Sequence, residues 1–208
     1  MPTPKDGYYL DGERIPSVTQ IIHSFQNPDA LAHWSWGLGL RGIDYREVRD
    51  AAANAGTNAH TAIERWVRGE AYEFACHESD NAFRAFREWA GQQPELRIVE
   101  TEVPLISRRH RYAGTIDAIG LVAGKRVLLD WKTSARIYPS HIIQVSAYHQ
   151  LWNENRSGEP IDGGLHVVRL DKRAGTFEHR SWTNLDSAWQ AFLHMRALYD
   201  IDRQLRAA

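Results

Sequence analysis

The chain of 208 residues reads as an α/β protein, a central mixed β-sheet flanked by helices, with a mainly helical amino-terminal part. Three observations predict this. Helical periodicity dominates residues 17–94, a strand–turn–strand–helix run fills 112–155, and a strand pair followed by one more helix closes the chain. We read residues 1–208 as a single domain, with 1–94 as the helical part and 95–208 as the α/β core.

Tyr8 to Ile15 reads as a small hairpin turning at Asp11-Gly12. Ser17 then caps a helix with Val18, Ile21 and Ile22 at helical spacing. Asp29 is expected to cap the next helix, weakened by its glycines, with Trp34 and Trp36 in core or interface packing rather than as base-stacking platforms. A charged helix from Tyr45 to about Ala53 is expected to stop at Asn54-Ala55-Gly56. Thr57 would cap a new helix bearing His60, Ile63, Glu64, Trp66 and Val67. Cys76-His77 is assigned to a loop, and Ser79 to the start of an amphipathic helix whose Phe83, Phe86 and Trp89 face a core.

Leu96 to Ile106 alternates as a strand, which puts Glu100 and Glu102 on one face. Arg108-Arg109-His110-Arg111 forms the turn into the next strand. After Tyr148 the helix runs on to Asn155. Residues 163–170 and 176–180 form a strand pair, and Asn184 or Asp186 caps a last helix with Trp189, Phe192 and Leu198 packed inward.

The stretch from Tyr112 to Tyr148 carries the chemistry. Thr115 to Ile119 alternates as a half-buried strand interrupted by the Asp117 carboxylate, and Ala123-Gly124-Lys125 reverses the chain. Val127-Leu128-Leu129 is a short apolar strand ending in Asp130-Trp131-Lys132. Side chains alternate along a strand, so Asp130 and Lys132 share a face, with Cα atoms roughly 6–7 Å apart. Trp131 points the other way. Asp117, on the antiparallel neighbour, brings a second carboxylate. Two oxygen ligands beside a lysine suit a Mg²⁺ site for phosphoryl chemistry. Gln144 and Tyr148, four apart on one helical face, offer an amide and a phenol to phosphate oxygens or a water. Taken alone, that pair reads more readily as a core tyrosine and a surface glutamine.

Composition bounds the function classes. Lys plus Arg number 25 and Asp plus Glu 26, a net charge of −1, so the chain is no bulk nucleic-acid binder, and DNA contact requires a local basic patch. No apolar run approaches the ~20 residues that span a bilayer. The opening Met-Pro-Thr-Pro-Lys-Asp-Gly lacks the apolar core of a secretory signal. The single cysteine, Cys76, excludes an internal disulfide. A cytoplasmic protein of a bacterium or phage, with no membrane partner, is expected.

Together, Gly114-x-x-Asp117, Asp130-x-Lys132 and Gln144-x-x-x-Tyr148 resemble the RecB-like branch of the PD-(D/E)XK nuclease superfamily. Gly56-Thr57-x-x-His60 is similar to that branch's amino-terminal histidine motif. The resemblance spans about half of the chain and implies a restriction-endonuclease-like core. By resemblance, His60, Asp117, Asp130 and the Trp131 backbone carbonyl hold Mg²⁺ or Mn²⁺, with Glu102 as an additional acid. A solvated strand face competes with that reading of Glu102. Lys132 positions or activates the attacking water, while Gln144 and Tyr148 set the site and hold DNA. Glu64 reads as the partner that orients His60 or equally as surface charge. Arg108, Arg109 and Arg111 are expected to contact DNA phosphates at the mouth of the site. Some relatives hold an iron–sulfur cluster on four cysteines; one cysteine cannot build it. The implied activity is a Mg²⁺- or Mn²⁺-dependent deoxyribonuclease, exonuclease favoured over endonuclease, in recombination, repair or phage DNA processing. DNA is the implied partner, with a helicase or recombination protein beside it. The alternative is a non-catalytic DNA-end-binding or helicase-docking module on the same fold.

Overall fold

A computed structural model of the chain describes residues 7–25 and 28–207. Residues 1–6, where the absence of a secretory signal was read, lie outside the described residues. The hairpin β1 (Tyr8–Leu10) and β2 (Glu13–Ile15) turns at Asp11-Gly12 as expected, with positive φ at both residues. Helix α1 (Val18–His23) begins at Ser17, whose hydroxyl accepts from Gln20 N–H while Gln20 Oε1 accepts from Ser17 N–H. This reciprocal pair is a capping box, which fixes the helix start.

Helix α2 (Pro28–Gly39) begins one residue before Asp29, so Asp29 sits inside the first turn, where its charge suits the helix dipole, rather than at the cap. Trp34 and Trp36 are not core residues: they are 39% and 61% exposed, with Trp34 edge-on to Tyr45. The expected break at Asn54-Ala55-Gly56 is absent. A single helix α3 runs from Tyr45 to Val67, capped by Asp44, and Thr57 lies in its interior. Gly56 is spent on proximity rather than on a turn. A Cβ there would stand 2.8 Å from Thr133 Oγ1, so the residue lets α3 lie against the end of the sheet, which outweighs the ~1 kcal/mol that glycine costs a helix.

Helix α4 (His77–Gly91) takes in the residues assigned to a loop. Cys76 is its N-cap, and Ser79, inside the first turn, donates to Cys76 O at 2.7 Å. Strands β3 (Leu96–Ser107), β4 (Tyr112–Val122) and β5 (Lys125–Lys132) follow, then α5 (Pro139–Asn155), β6 (Gly164–Leu170), β7 (Phe177–Trp182) and α6 (Asp186–Ala207). Asn184 is the side chain that caps α6, accepting from Asp186 N–H. The inward face of α6 is Phe192, Met195, Arg196 and Tyr199; Leu198 falls beside that stripe and is exposed.

The five-stranded sheet has the order β3-β4-β5-β6-β7, antiparallel except for the parallel β5–β6 pair that α5 connects. It is therefore a mixed sheet flanked by helices. One core, around Ile116, Leu128 and Val167, packs α1, α5 and α6; the other, around Leu129, Trp131 and Val168, packs α3 and α4. Of the amino-terminal helices, α3 and α4 thus form one layer, while α1 joins α5 and α6 in the other. No helix among the described residues is long and apolar enough to cross a membrane.

A histidine pair ties β6 to β7. His166 Nδ1 and His179 Nε2 lie 2.9 Å apart, with Trp89 edge-on to His179. Burial opposes the charged form of both rings: His166 is lowered, and His179, with His166 as a second cause, is pushed down to about 4. A histidine whose folded pKa is depressed leaves the unfolded chain holding more protons, so stability falls as pH falls. The contribution is complete above ~6.5, the unfolded value, and is lost progressively toward pH 4. Melting temperature should drop over that window, and His179→Gln should flatten the drop. Parallel acid limbs for the two proteins would refute the assignment.

Candidate metal and phosphate site

The site forms where β4 and β5 part. Their ladder runs from Val122↔Lys125 to Ala118↔Leu129 and ends there. Beyond it β5 stays with β6, and at the fork the Asp117 carboxylate replaces a ladder group, with Trp131 N–H donating to Asp117 Oδ2 at 2.7 Å. The alternation of β4 changes phase at the same residue: Ile116 belongs to one core and Ala118 to the other. In a regular strand those two would share a face. Across the strand pair Glu102 sits between Thr101↔Ala118 and Val103↔Ile116, hence opposite Asp117, and it takes φ 51°. A non-glycine residue in that region is uncommon and marks a locally imposed conformation.

This turn of the backbone corrects the strict alternation expected for the β3 strand. Glu102 lines the cavity, whereas Glu100 faces Arg156 at 3.7 Å. The positive φ at Glu102 breaks the shared face, and a separate register shift lies upstream, between Ile98 and Glu100.

The fork opens into a cavity of about 1070 Å³. His60 on α3, Glu102 on β3 and Asp117 on β4 each direct a ligand atom into it, all within 4.8 Å of one another. His60 Nδ1 lies 3.7 Å from Asp117 Oδ1. Burial, the Asp117 charge and then the Glu64 charge push the Glu102 carboxyl up to about 7. The two crowded carboxylates stand beside an imidazole, neither is paired with a Lys or Arg nitrogen among the described residues, and the group could hold a metal ion.

Asp130, expected among the ligands, is not in this group of three. It is fully buried and paired with Lys132, whose Nζ stands 2.6 Å from Oδ2. Apart from this ion pair, neither Asp130 oxygen has a hydrogen-bond partner among the described residues. Burial is the main cause that raises its carboxyl, and the Lys132 ammonium opposes it. Lys132 itself reaches the cavity, while Trp131 points into the opposite core against Phe86 and Trp89. Asp130 and Lys132 therefore share a face as the strand period required.

Gln144 Nε2 donates to Tyr148 Oη at 2.7 Å, and both residues line the cavity. Burial first, then the charges of Asp130 and Asp117, hold the Tyr148 phenol well above its ordinary range, so it works as a hydrogen-bonding group and not as a base. Gly114 makes room for it: a Cβ there would stand 2.6 Å from Tyr148 Cε1. Gly114→Ala should therefore displace the ring and cost about 1–3 kcal/mol, read as a lower urea midpoint. An unchanged midpoint would mean that the ring is not held by this contact.

Of the two readings of Glu64, the one that orients His60 finds no hydrogen bond between them among the described residues; the Glu64 carboxylate is held by Arg68 at 2.6 Å, one turn further along the helix. Arg108, Arg109 and Arg111 are not among the residues lining the cavity. Their turn is pinned elsewhere: Arg108 lies 3.4 Å from Asp11, Arg111 pairs with Glu13, and Glu154 accepts the backbone N–H groups of Arg108 and Arg109. Arg196 from α6 donates to His110 O and Arg111 O behind them. The cavity's cationic residues besides Lys132 are Arg14, Arg65 and Arg68, which the sequence reading missed. A signal was present. Thr57, His60, Thr61, Glu64, Arg65 and Arg68 recur at helical spacing as one polar stripe, opposite the buried Ala59, Ala62 and Ile63. Tyr8 was missed too; its hydroxyl lies 2.7 Å from Thr115 Oγ1 on the cavity wall.

No family model and no curated protein matches the chain. Among solved structures it is similar to one described as the crystal structure of SSO0001, with 14% identity and a TM-score of 0.39 over 90% of this chain and 75% of that one. A likeness that distant carries neither fold nor function.

Proposed function

We propose that the protein is a Mg²⁺- or Mn²⁺-dependent deoxyribonuclease of the RecB-like branch of the PD-(D/E)XK superfamily, with a restriction-endonuclease-like core, acting from DNA ends. The observation that carries this reading is the meeting, in one cavity, of the His60, Glu102 and Asp117 ligand atoms with the Lys132 ammonium. Those three residues would hold the ion. A divalent cation at such a site supplies an acidified water at neutral pH and offsets charge on phosphate oxygens.

The chain's own groups do the rest. Lys132, anchored by buried Asp130, presents a cation at the place where negative charge builds on the phosphate. Asp130 is fully buried and so kept from water, and the ammonium it anchors is preorganised. Tyr148, already accepting from Gln144, keeps its own hydroxyl proton to give to a phosphate oxygen or a water. Arg14, on the hairpin, and Arg65, on α3, line the same cavity and supply backbone contacts that an overall charge of −1 does not. A helicase or recombination partner would deliver the end.

The test is a panel of end-labelled single-stranded, duplex and circular DNA with Mg²⁺ or Mn²⁺. Metal-dependent loss of the linear substrates, with circles spared, is the expected result. Binding of all three with no product under either metal would replace the nuclease by an end-binding module.

A further inference from the structure

A second cavity, of about 240 Å³, shares Lys132 with the first, and its lining differs in kind. The large cavity carries Glu64, Glu70, Glu102 and Asp117. The small one has no carboxylate among its lining residues; it presents Lys132, His23, Ser140, His141 and Gln144. Thr19, Lys132 and Gln144 line both, so the ammonium stands in the partition between a cation-seeking cavity and one that offers donors. At ~30 Å³ per water the small cavity has room for roughly eight waters, enough for a phosphate group and its remaining shell.

The donors are fixed in place. Tyr138 N–H donates to His141 Nδ1 at 3.2 Å, which sets the neutral tautomer and leaves the ring proton on Nε2. Burial, and then the Lys132 charge, push His141 down to about 4, so at neutral pH the ring donates once and stays uncharged. Ser140 and His141 lie in the first turn of α5, where the positive end of the dipole of a 17-residue helix adds to the field. Asp130 occupies one of the three N–H directions of Lys132 from below and lines neither cavity, which leaves the ammonium two to share.

We propose that the small cavity is a phosphate-binding subsite, in which Lys132, Ser140 and His141 Nε2 hold a phosphate group of the strand whose scissile linkage lies on the carboxylate side. Its role in a strand rests on the nuclease reading; the binding itself does not. Lys132 then touches two phosphates, one in each cavity, and sets how far the strand advances past the cut.

The test uses the metal-free full-length protein with inorganic phosphate as the probe, followed through the histidine side-chain ¹⁵N resonances. Phosphate should shift His141 saturably, and Ser140→Ala should weaken that binding about tenfold. His141→Asn serves as the second variant, with the same loss expected. Fluorescent strands bearing a 5′-phosphate, a 3′-phosphate or neither then separate the sources. Tenfold tighter binding of one phosphorylated end marks a terminal monoester, and equal binding that inorganic phosphate competes away marks an internal diester. Phosphate that leaves His141 unmoved, or binds both variants as tightly as the parent, overturns the subsite even if DNA is cleaved. Cleavage that fails while His141 responds overturns the nuclease reading alone.

Discussion

Asp117→Asn is expected to abolish metal-dependent DNA cleavage, by ~10³-fold or more, equivalent to about 4 kcal/mol of barrier, and to leave the fold intact. Asp117 has two roles on two oxygens. Oδ2 accepts Trp131 N–H and holds the β4–β5 fork, while Oδ1 faces His60 among the three ligand groups. An asparagine carbonyl keeps the first contact; its amide cannot serve the second, because it brings donors where a cation needs lone pairs. Mn²⁺ binding, followed by calorimetry, should weaken in step with cleavage. In the parent protein that binding should release protons near pH 7, since Glu102 must ionise to join the ion.

The metal-free variant should also change its pH response. With Asp117 charged, the Glu102 carboxyl sits at about 7, above its unfolded value, so the folded chain holds more protons and loses stability as pH rises from about 4.5 toward 7. Removing the neighbouring charge lowers Glu102 and flattens that loss. A variant that cleaves at the parental rate with Mn²⁺ would dismiss the three-group site.

The strands and helices around this site were legible because local periods encode them. Val127-Leu128-Leu129 reads as a strand from its apolar run, and Phe83, Phe86 and Trp89 read as a helix face from their spacing. Asp130 and Lys132 came out on one side for the same reason. What a period cannot carry is its own interruption. The phase change at Asp117 and the positive φ at Glu102 arise from the meeting of two strands, and only their junction decides which acids converge. Hence Glu102 belongs with His60 and Asp117, whereas Asp130, nearer to Lys132 in sequence, pairs with it.

Glycine misled in the same way. Gly56 looked like a helix break, yet its missing Cβ serves a contact with Thr133, 77 residues on, as Gly114 serves Tyr148. The hairpin arginines were misread because their partners, Glu13, Glu154 and the α6 residue Arg196 behind them, are distant in the chain.

Lys132→Met should be the most costly single change to stability, by about 3–5 kcal/mol near pH 8, and should also end cleavage. The asymmetry of the pair is the reason. Asp130 is fully buried and Lys132 is 15% exposed, so removing the lysine strands a carboxylate with no other aligned donor, whereas removing the carboxylate frees an ammonium that can turn to cavity water. Asp130→Asn should therefore destabilise far less than Lys132→Met while still impairing cleavage, because the ammonium loses its anchor. The deficit of Lys132→Met should shrink as pH falls, since burial already raises Asp130 and loss of the opposing charge raises it further, until the carboxyl is neutral. The double variant Asp130→Asn/Lys132→Met removes the stranded charge and should regain most of the stability with none of the activity. Urea unfolding of the four proteins closes a double-mutant cycle, and a large coupling is expected. Single effects that simply add would mean that the two groups do not sustain one another, and Lys132 would then lack the buried anchor that holds it at the boundary of the two cavities.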